Sequence, residues 1–402
     1  MCGINVTVNA GSVYEADGSR GATHTLQNLA FTETAHRSHL RLVRELETMG
    51  GNAQALASRE YLTYEIEVPK TMFAEASEVL LDTVINPSLS LSGLKRAANR
   101  CAADLSRMGE ADAFMDRQMH ALAFQGGLAT PLYGSTLNPE RDGEAVAAFH
   151  ALTHTGPGVV IAAAGVPHRA FLHVVEPMAS TLPVVADQVA YAPSTYRGGL
   201  AVMDTSAERA VALAFEGTGG ISDLPRDVAR HVLTKLMGGG GSFSTGGPGK
   251  GMHSRLYQRV LCQDGRVSDC SFFHESYANT ALAGIRVAGD LDTGVLLDIA
   301  CREMEAVAGS VTGEEVERAK AVMEGNLCMV LENAVHVADD MAKTVAAYGK
   351  RVETQVFIDA IRKVSVADIK AEAAALLKTK PTVAVIGQGD FPSYDAVVRR
   401  FA

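Results

Sequence analysis

The chain carries one order of secondary-structure elements twice, and this repeat constrains its fold more than any single motif. In the first half, alternation of Ile4, Val6 and Val8 predicts a strand over 4–9, followed by helices over about 21–31 and 38–49. A strand pair is expected near Ala53–Ala57 and Leu62–Val68, then a helix from Thr71 to Ile85. Another opens after Ser92, with Leu94, Ala98, Cys101, Leu105 and Met108 on one face. Helices over about 112–125 and 143–153 and a strand over 158–164 complete the half. The second half runs from strand Ala210–Phe215 to helix Pro225–Met237, strands near Ser268–Phe273 and Ala281–Val287, and helices from Asp290 and Thr312. Helix Ala367–Lys378 and strand Thr382–Ile386 close it. AVAAFHALTHTGPGVVIAAAG mirrors DIKAEAAALLKTKPTVAVIG, and ELETMGGN mirrors LTKLMGGGG. Two copies of one α+β unit in 402 residues predict two homologous domains, 1–190 and 199–402, joined through the turn-rich run Leu182–Gly199.

Composition narrows the partners. The chain is 47% hydrophobic and 20% charged, which is globular. A formal net charge of −10 disfavours nucleic acid and suits a cationic partner. Apolar runs fall short of the roughly 20 residues that span a bilayer, and no leader-like start is visible, so no transmembrane segment of its own is expected. Six scattered cysteines without a Cys-x-x-Cys pair fit a reducing compartment rather than a zinc ribbon or disulfide frame.

The segment GGGGSFSTGGPGKG, Gly238 to Gly251, holds eight glycines in fourteen residues. Each ordered glycine costs roughly 0.5–1 kcal/mol of extra backbone entropy, so the run suits a mobile strap better than a rigid turn. A surface linker is the plainer reading. Against it, Val228, Leu233, Leu236 and Met237 before the strap, and Met252, Leu256, Tyr257, Val260 and Leu261 after it, keep helical spacing. The strap is therefore expected to join two packed helices within one half. A P-loop is excluded: it needs glycine where Ser244 stands and Ser or Thr where Gly251 stands.

GGGGSFSTGGPGKGMHSRLYQRVL closely resembles the glycine-rich loop of the α-subunit family of mitochondrial processing peptidases, in its plant and algal form. The likeness continues through GATHTLQNLAF, HRSHLRLVRELETMGGN, VVIAAAGVPH and FPSYDAVVRRF, so it covers essentially the whole chain. That family belongs to the inverzincin, or pitrilysin-like, metallopeptidases. The resemblance implies an α+β fold of two homologous domains facing each other across a chamber. One departure is that family members open with a short strand before the one at Ile4, and this sequence has none there.

Catalytic inverzincins carry His-x-x-Glu-His on a helix, two histidines holding zinc and the glutamate acting as general base, with a glutamate from a later helix as third ligand. The corresponding segment is His24-Thr25-Leu26-Gln27-Asn28, and the third-ligand position falls at Asp104. An amide at Gln27 cannot accept a proton from water, and Asn28 is a far weaker ligand than imidazole. No metal, no cofactor and no catalytic residue are therefore expected, with His24 a packed or solvated remnant. The pairs His150/His154 and His36/His39 lack partners at usual ligand spacing and are expected on solvated helix faces.

The resemblance implies a non-catalytic subunit that binds targeting presequences for a β-type partner (core subunit 1) with an intact zinc site. Such presequences are rich in Arg and Ser and poor in acid. The binding residues expected are Gly238, Gly239, Gly240, Gly241, Ser242, Phe243, Gly246, Gly247, Gly249, Lys250, Gly251 and Met252. Glu315, Asp339 and Asp340 are candidates to read the arginines. The alternative is a structural core subunit 2 of ubiquinol–cytochrome c reductase, held with other complex III subunits on the matrix side of the inner membrane. One protein could serve both roles.

Overall fold

The computed structural model describes residues 1–133, 138–184, 191, 193–206, 209–241, 251–388 and 390–401, with backbone alone at 110 and 111. The first sheet contains β1 (Cys2–Val8), β2 (Asn52–Ala57), β3 (Leu62–Val68) and β4 (Val159–Ala164). Its order is β2-β3-β1-β4, all antiparallel. Around it run α1 (Ala22–Leu29), α2 (His39–Met49), α3 (Phe73–Ile85), α4 (Leu91–Met108), α6 (Pro139–Thr153) and α7 (His168–Ala179), while α5 (Glu110–Ala123) follows α4 and belongs mostly to the other unit. The helix expected after Ser92 begins earlier, because the Ser90 side chain caps it by accepting from the Gly93 N–H.

The second sheet contains β5 (Gly199–Met203), β6 (Ala210–Thr218), β7 (Gly239–Gly241), β8 (Val267–Ser276), β9 (Thr280–Gly289) and β10 (Thr382–Ile386). Its order is β5-β10-β6-β9-β8-β7. The inner four strands, β8-β9-β6-β10, reproduce β2-β3-β1-β4 with the same antiparallel neighbours. The helices are α8 (Leu224–Met237), α9 (Thr293–Gly309), α10 (Gly313–Val330), α11 (Ala334–Tyr348), α12 (Thr354–Lys363), α13 (Val366–Leu377) and α14 (Tyr394–Phe401). The repeat read from the sequence is thus a repeat of topology. Two separate apolar cores result, one around Ile4, Leu26, Ile66 and Leu80, the other around Leu213, Leu233, Ile285 and Met304.

The compact units do not follow the chain linearly. One comprises residues 1–113, 126–194 and 329–352; the other comprises 114–125, 195–328 and 353–402. Helix α11 therefore belongs with the first sheet, although it lies late in the sequence. It packs along β1, where a Cβ added to Gly3 would lie 2.4 Å from the Val335 Cα. The alternation Ile4-Val6-Val8 reads as a half-exposed strand, yet every residue of β1 is buried. Its polar face is satisfied rather than wet: Asn5 Nδ2 donates to Asp339 Oδ1 at 3.1 Å, and Thr7 Oγ1 donates to Asn5 Oδ1 at 2.9 Å.

Candidate functional site

Two places carry the sequence's chemical signals, one in each unit. In the first unit, α1 starts under a carboxylate lid. Both Glu15 oxygens accept backbone N–H groups, from Gly21 and Thr23 at 2.8 Å each, and burial pushes the Glu15 carboxyl up to about 7. The first turn of α1 is further tied by Thr23 Oγ1 donating to the Ala10 carbonyl at 2.9 Å. His24 sits on this helix with 2% exposure, its Nε2 3.2 Å from Asp104 Oδ2 on α4. Burial lowers its pKa against the opposing pull of Asp104, and the edge of Tyr133 closes over the ring at 5.1 Å.

Asn28 Nδ2 donates to the same Asp104 oxygen at 3.1 Å and reaches Cys101 Sγ at 3.4 Å. A carboxylate only accepts, so Asn28 presents its amide nitrogen, which has no lone pair for a metal. Gln27 is turned elsewhere, its Oε1 accepting from the Ala57 N–H of β2 at 3.1 Å. These residues do not fit zinc: two of the four family positions can donate to it, and those two are bonded to each other. Gln27, at the position of the general base, is an amide and cannot serve as one. Of the two expectations for His24, packed or solvated, the buried ring fits the first.

Of the other histidine pairs, His36 and His39 are exposed as expected, whereas His150 and His154 are not on a solvated face. His154 is buried, 3.0 Å from the Tyr64 hydroxyl and stacked on His150 with ring centroids 4.1 Å apart. His36 Nδ1 contacts Asp82 at 2.7 Å, and His39 Nδ1 donates to the Thr32 carbonyl at 2.9 Å. Imidazole satisfies buried carbonyls, hydroxyls and carboxylates as readily as it faces water, which helical spacing alone does not reveal.

In the second unit, the glycine stretch is anchored at both ends. Three of its glycines, Gly239–Gly241, are not helix-linking strap but edge strand β7, pairing Gly239 with Ser271 and Gly241 with Asp269. Gly239 has φ +101°, and a Cβ there would stand 1.9 Å from the Cys270 carbonyl oxygen. Its N–H donates to Ser254 Oγ at 3.1 Å, so the entry and exit of the stretch are tied together. Ser242, Phe243, Gly246, Gly247, Gly249 and Lys250 lie outside the described residues. Gly251 and Met252 are described and exposed, and the helix expected after them is a short π-helical turn over Tyr257–Leu261.

Arg255 fixes the exit. Its guanidinium bonds Glu315 (2.7 and 3.0 Å), and its Nη1 donates to Ser310 Oγ at 3.3 Å. Glu315 also accepts from the Thr312 N–H and hydroxyl, and these bonds hold its carboxyl down at about 2 against the opposing effect of burial. Its acid is therefore committed within the fold, as is that of Asp339, which bonds Asn5 and Lys343 Nζ at 2.7 Å. Burial raises the Asp340 carboxyl, with Arg351 acting against it.

Residues 1–136 match the insulinase family of peptidases (family M16), and residues 142–323 match the M16 inactive domain. The chain is 38% identical to the mitochondrial-processing peptidase subunit alpha of Solanum tuberosum, over 99% of this chain and 80% of that one. It is 38% identical to the probable subunit alpha-2 of Arabidopsis thaliana, over 99% of this chain and 81% of the relative.

The chain belongs to the M16 peptidase family.

An M16 fold also accounts for a structural likeness to a chain of complex III2 from Candida albicans, at TM-score 0.80 and 18% identity, covering 100% of this chain and 94% of that one. Within this M16 frame the sequence overlooked a third cluster. Asp227 and His231 on α8 and His274 on β8 bring one potential ligand atom each to within 4.8 Å of one another. The Asp-x-x-x-His spacing on α8 was the available signal, but the third member comes from a strand distant in sequence.

Proposed function

We propose that this chain is the non-catalytic, presequence-binding α subunit of a mitochondrial processing peptidase, working on the matrix side of the inner membrane and integrated as a core subunit of complex III. A β-type subunit with an intact His-x-x-Glu-His motif supplies the hydrolytic zinc, and this chain supplies capture of the peptide. The observation that carries the reading is the anchoring of the glycine stretch. Pairing of β7 with β8, the Gly239–Ser254 bond and the Arg255–Glu315 clamp hold both ends of a glycine-rich segment. A segment held this way serves a ligand better than it serves as a spacer. Exposed Met252 beside it offers adaptable apolar contact. The absence of a base at Gln27 and of an imidazole at residue 28 supports the division of labour between subunits.

The test is kinetic. Deleting residues 242–250 leaves both anchors in place, so pairing with the β-type subunit is expected to persist. Cleavage of long presequences is expected to lose about 1–3 kcal/mol in kcat/KM, mostly through KM, the size of a few lost hydrogen bonds. Gly241→Ala, where a Cβ finds room, separates backbone contact with substrate from folding. Unchanged kinetics in both variants would leave the structural core-subunit reading, which the complex III likeness in fold favours. Blue-native electrophoresis probed for cytochrome b then reports whether the chain resides in that complex.

A further inference from the structure

We propose that Asp227, His231 and His274 form a binding site for a first-row divalent metal, zinc being the ion this donor set suits best. The absence of metal expected from the HTLQN segment concerns α1; this cluster lies on α8 and β8. Asp227 and His231 are four residues apart and so share one face of α8. His274 projects from the neighbouring strand, with its ring edge-on to His231 at 4.6 Å between centroids. Two imidazoles and one carboxylate with a position left for water form a familiar zinc set, and they discriminate against calcium and magnesium, which require more oxygen ligands.

Burial grades across the site. The His274 side chain is 1% exposed and Asp227 11%, while His231 is 45% exposed, which leaves an approach from solvent.

The Ser276 hydroxyl bonds both Asp227 Oδ1 and His274 Nε2, the latter at 3.0 Å. A carboxylate cannot donate, so the hydroxyl proton goes to Asp227 and the Ser276 oxygen accepts from Nε2–H. The lone pair of His274 is then on Nδ1, buried and without a partner among the described residues, while Nε2 is the nitrogen 3.8 Å from Asp227 Oδ1. A metal in the cluster takes Nε2, whose proton passes to Nδ1 as Ser276 gives up its bond to the ring. Hydrogen bonds from Ser276, and from His231 Nδ1 to the Asp227 carbonyl at 2.9 Å, are the kind of outer contacts that orient metal ligands. The opposing charge is Arg230, whose Nη2 stands 3.7 Å from Asp227 Oδ1. Its Nη1 bonds the Thr218 carbonyl at 2.8 Å and Glu372 at 3.3 Å, so Asp227 is not its main counterion. Arg230 sets the affinity below that of a closed structural zinc site without closing this one.

The experiment uses the full chain, stripped with chelator and titrated with Co(II) and Zn(II). One equivalent of Co(II) is expected to give the visible d–d bands of a low-coordinate N/O site, and zinc to displace it and raise Tm. His231→Gln, on the exposed side of the site, is expected to fold as wild type and to weaken binding at least about tenfold. His24→Gln is expected to leave binding unchanged. In the complex with a β-type subunit, metal analysis should give one zinc more than that subunit carries, and His231→Gln should remove it. Wild-type protein without saturable binding, or binding lost in His24→Gln and kept in His231→Gln, overturns the proposal. Presequence kinetics are independent of either result.

Discussion

Asn28 does more than remove a ligand. Its amide hydrogen lies where an imidazole lone pair would have to be, and it turns Asp104 from a metal ligand into a hydrogen-bond acceptor shared with His24. The sequence revealed this loss directly, because HTLQN departs from His-x-x-Glu-His at chemically decisive positions. Glu315 was legible only as an acid on a helix. Its partner Arg255 lies far away in sequence, and spacing rules apply within an element, not between elements. The structure gives its acid a different use, with a pH signature. The folded-state pKa, about 2, lies below the ordinary glutamate value, so the stabilisation is present above that ordinary value and is lost as pH falls toward about 2. Glu315→Gln leaves the nearly buried Arg255 without its counter-charge and is expected to cost about 1.5–3 kcal/mol at neutral pH. Urea unfolding across pH should show this gap shrinking in acid. A gap that does not change with pH would mean that Glu315 stabilises by packing alone.

At the scale of elements, periodicity located most helices and strands, since amphipathic faces are written locally. It missed what depends on a distant neighbour. Gly239–Gly241 carries no strand signal, yet forms β7 because β8 offers an unpaired edge and glycine tolerates Cys270 at close range. The polar residues of β1 pointed to solvent, and α11 covers them. Gly3 permits that docking, and its reason lies in Val335 rather than in any local turn. Gly3→Ala would press a methyl group into the α11 backbone and is expected to destabilise the protein by about 3 kcal/mol, the upper range for an overpacked contact. Thermal or urea denaturation measures it. Wild-type stability in this variant would place α11 farther from β1 than the structure does.

At the scale of the whole molecule, the repeat was readable but the exchange of helices between its copies was not. The segment following α4 (residues 114–125) joins the second unit, and that following α10 (residues 329–352) joins the first. Hydrophobic pattern states that a helix is amphipathic without stating which sheet receives it. Expressed alone, residues 1–194 are expected to be aggregation-prone, and co-expression with 195–402 should restore solubility by returning α11. Cooperative unfolding of the isolated 1–194 fragment would contradict this. The exchange also orders events in time. A chain emerging from its N-terminus exposes β1, with its bare Asn5 and Thr7 face and the groove at Gly3, until residue 348 at the end of α11 is free. Residues 114–125, already made, meanwhile wait for the second unit that receives them. Neither half can mature while the other is still being delivered, so folding has high contact order and a long-lived, sticky precursor. Such a precursor is a client for a chaperone that holds chains open, and the duplicated architecture folds as one event rather than two.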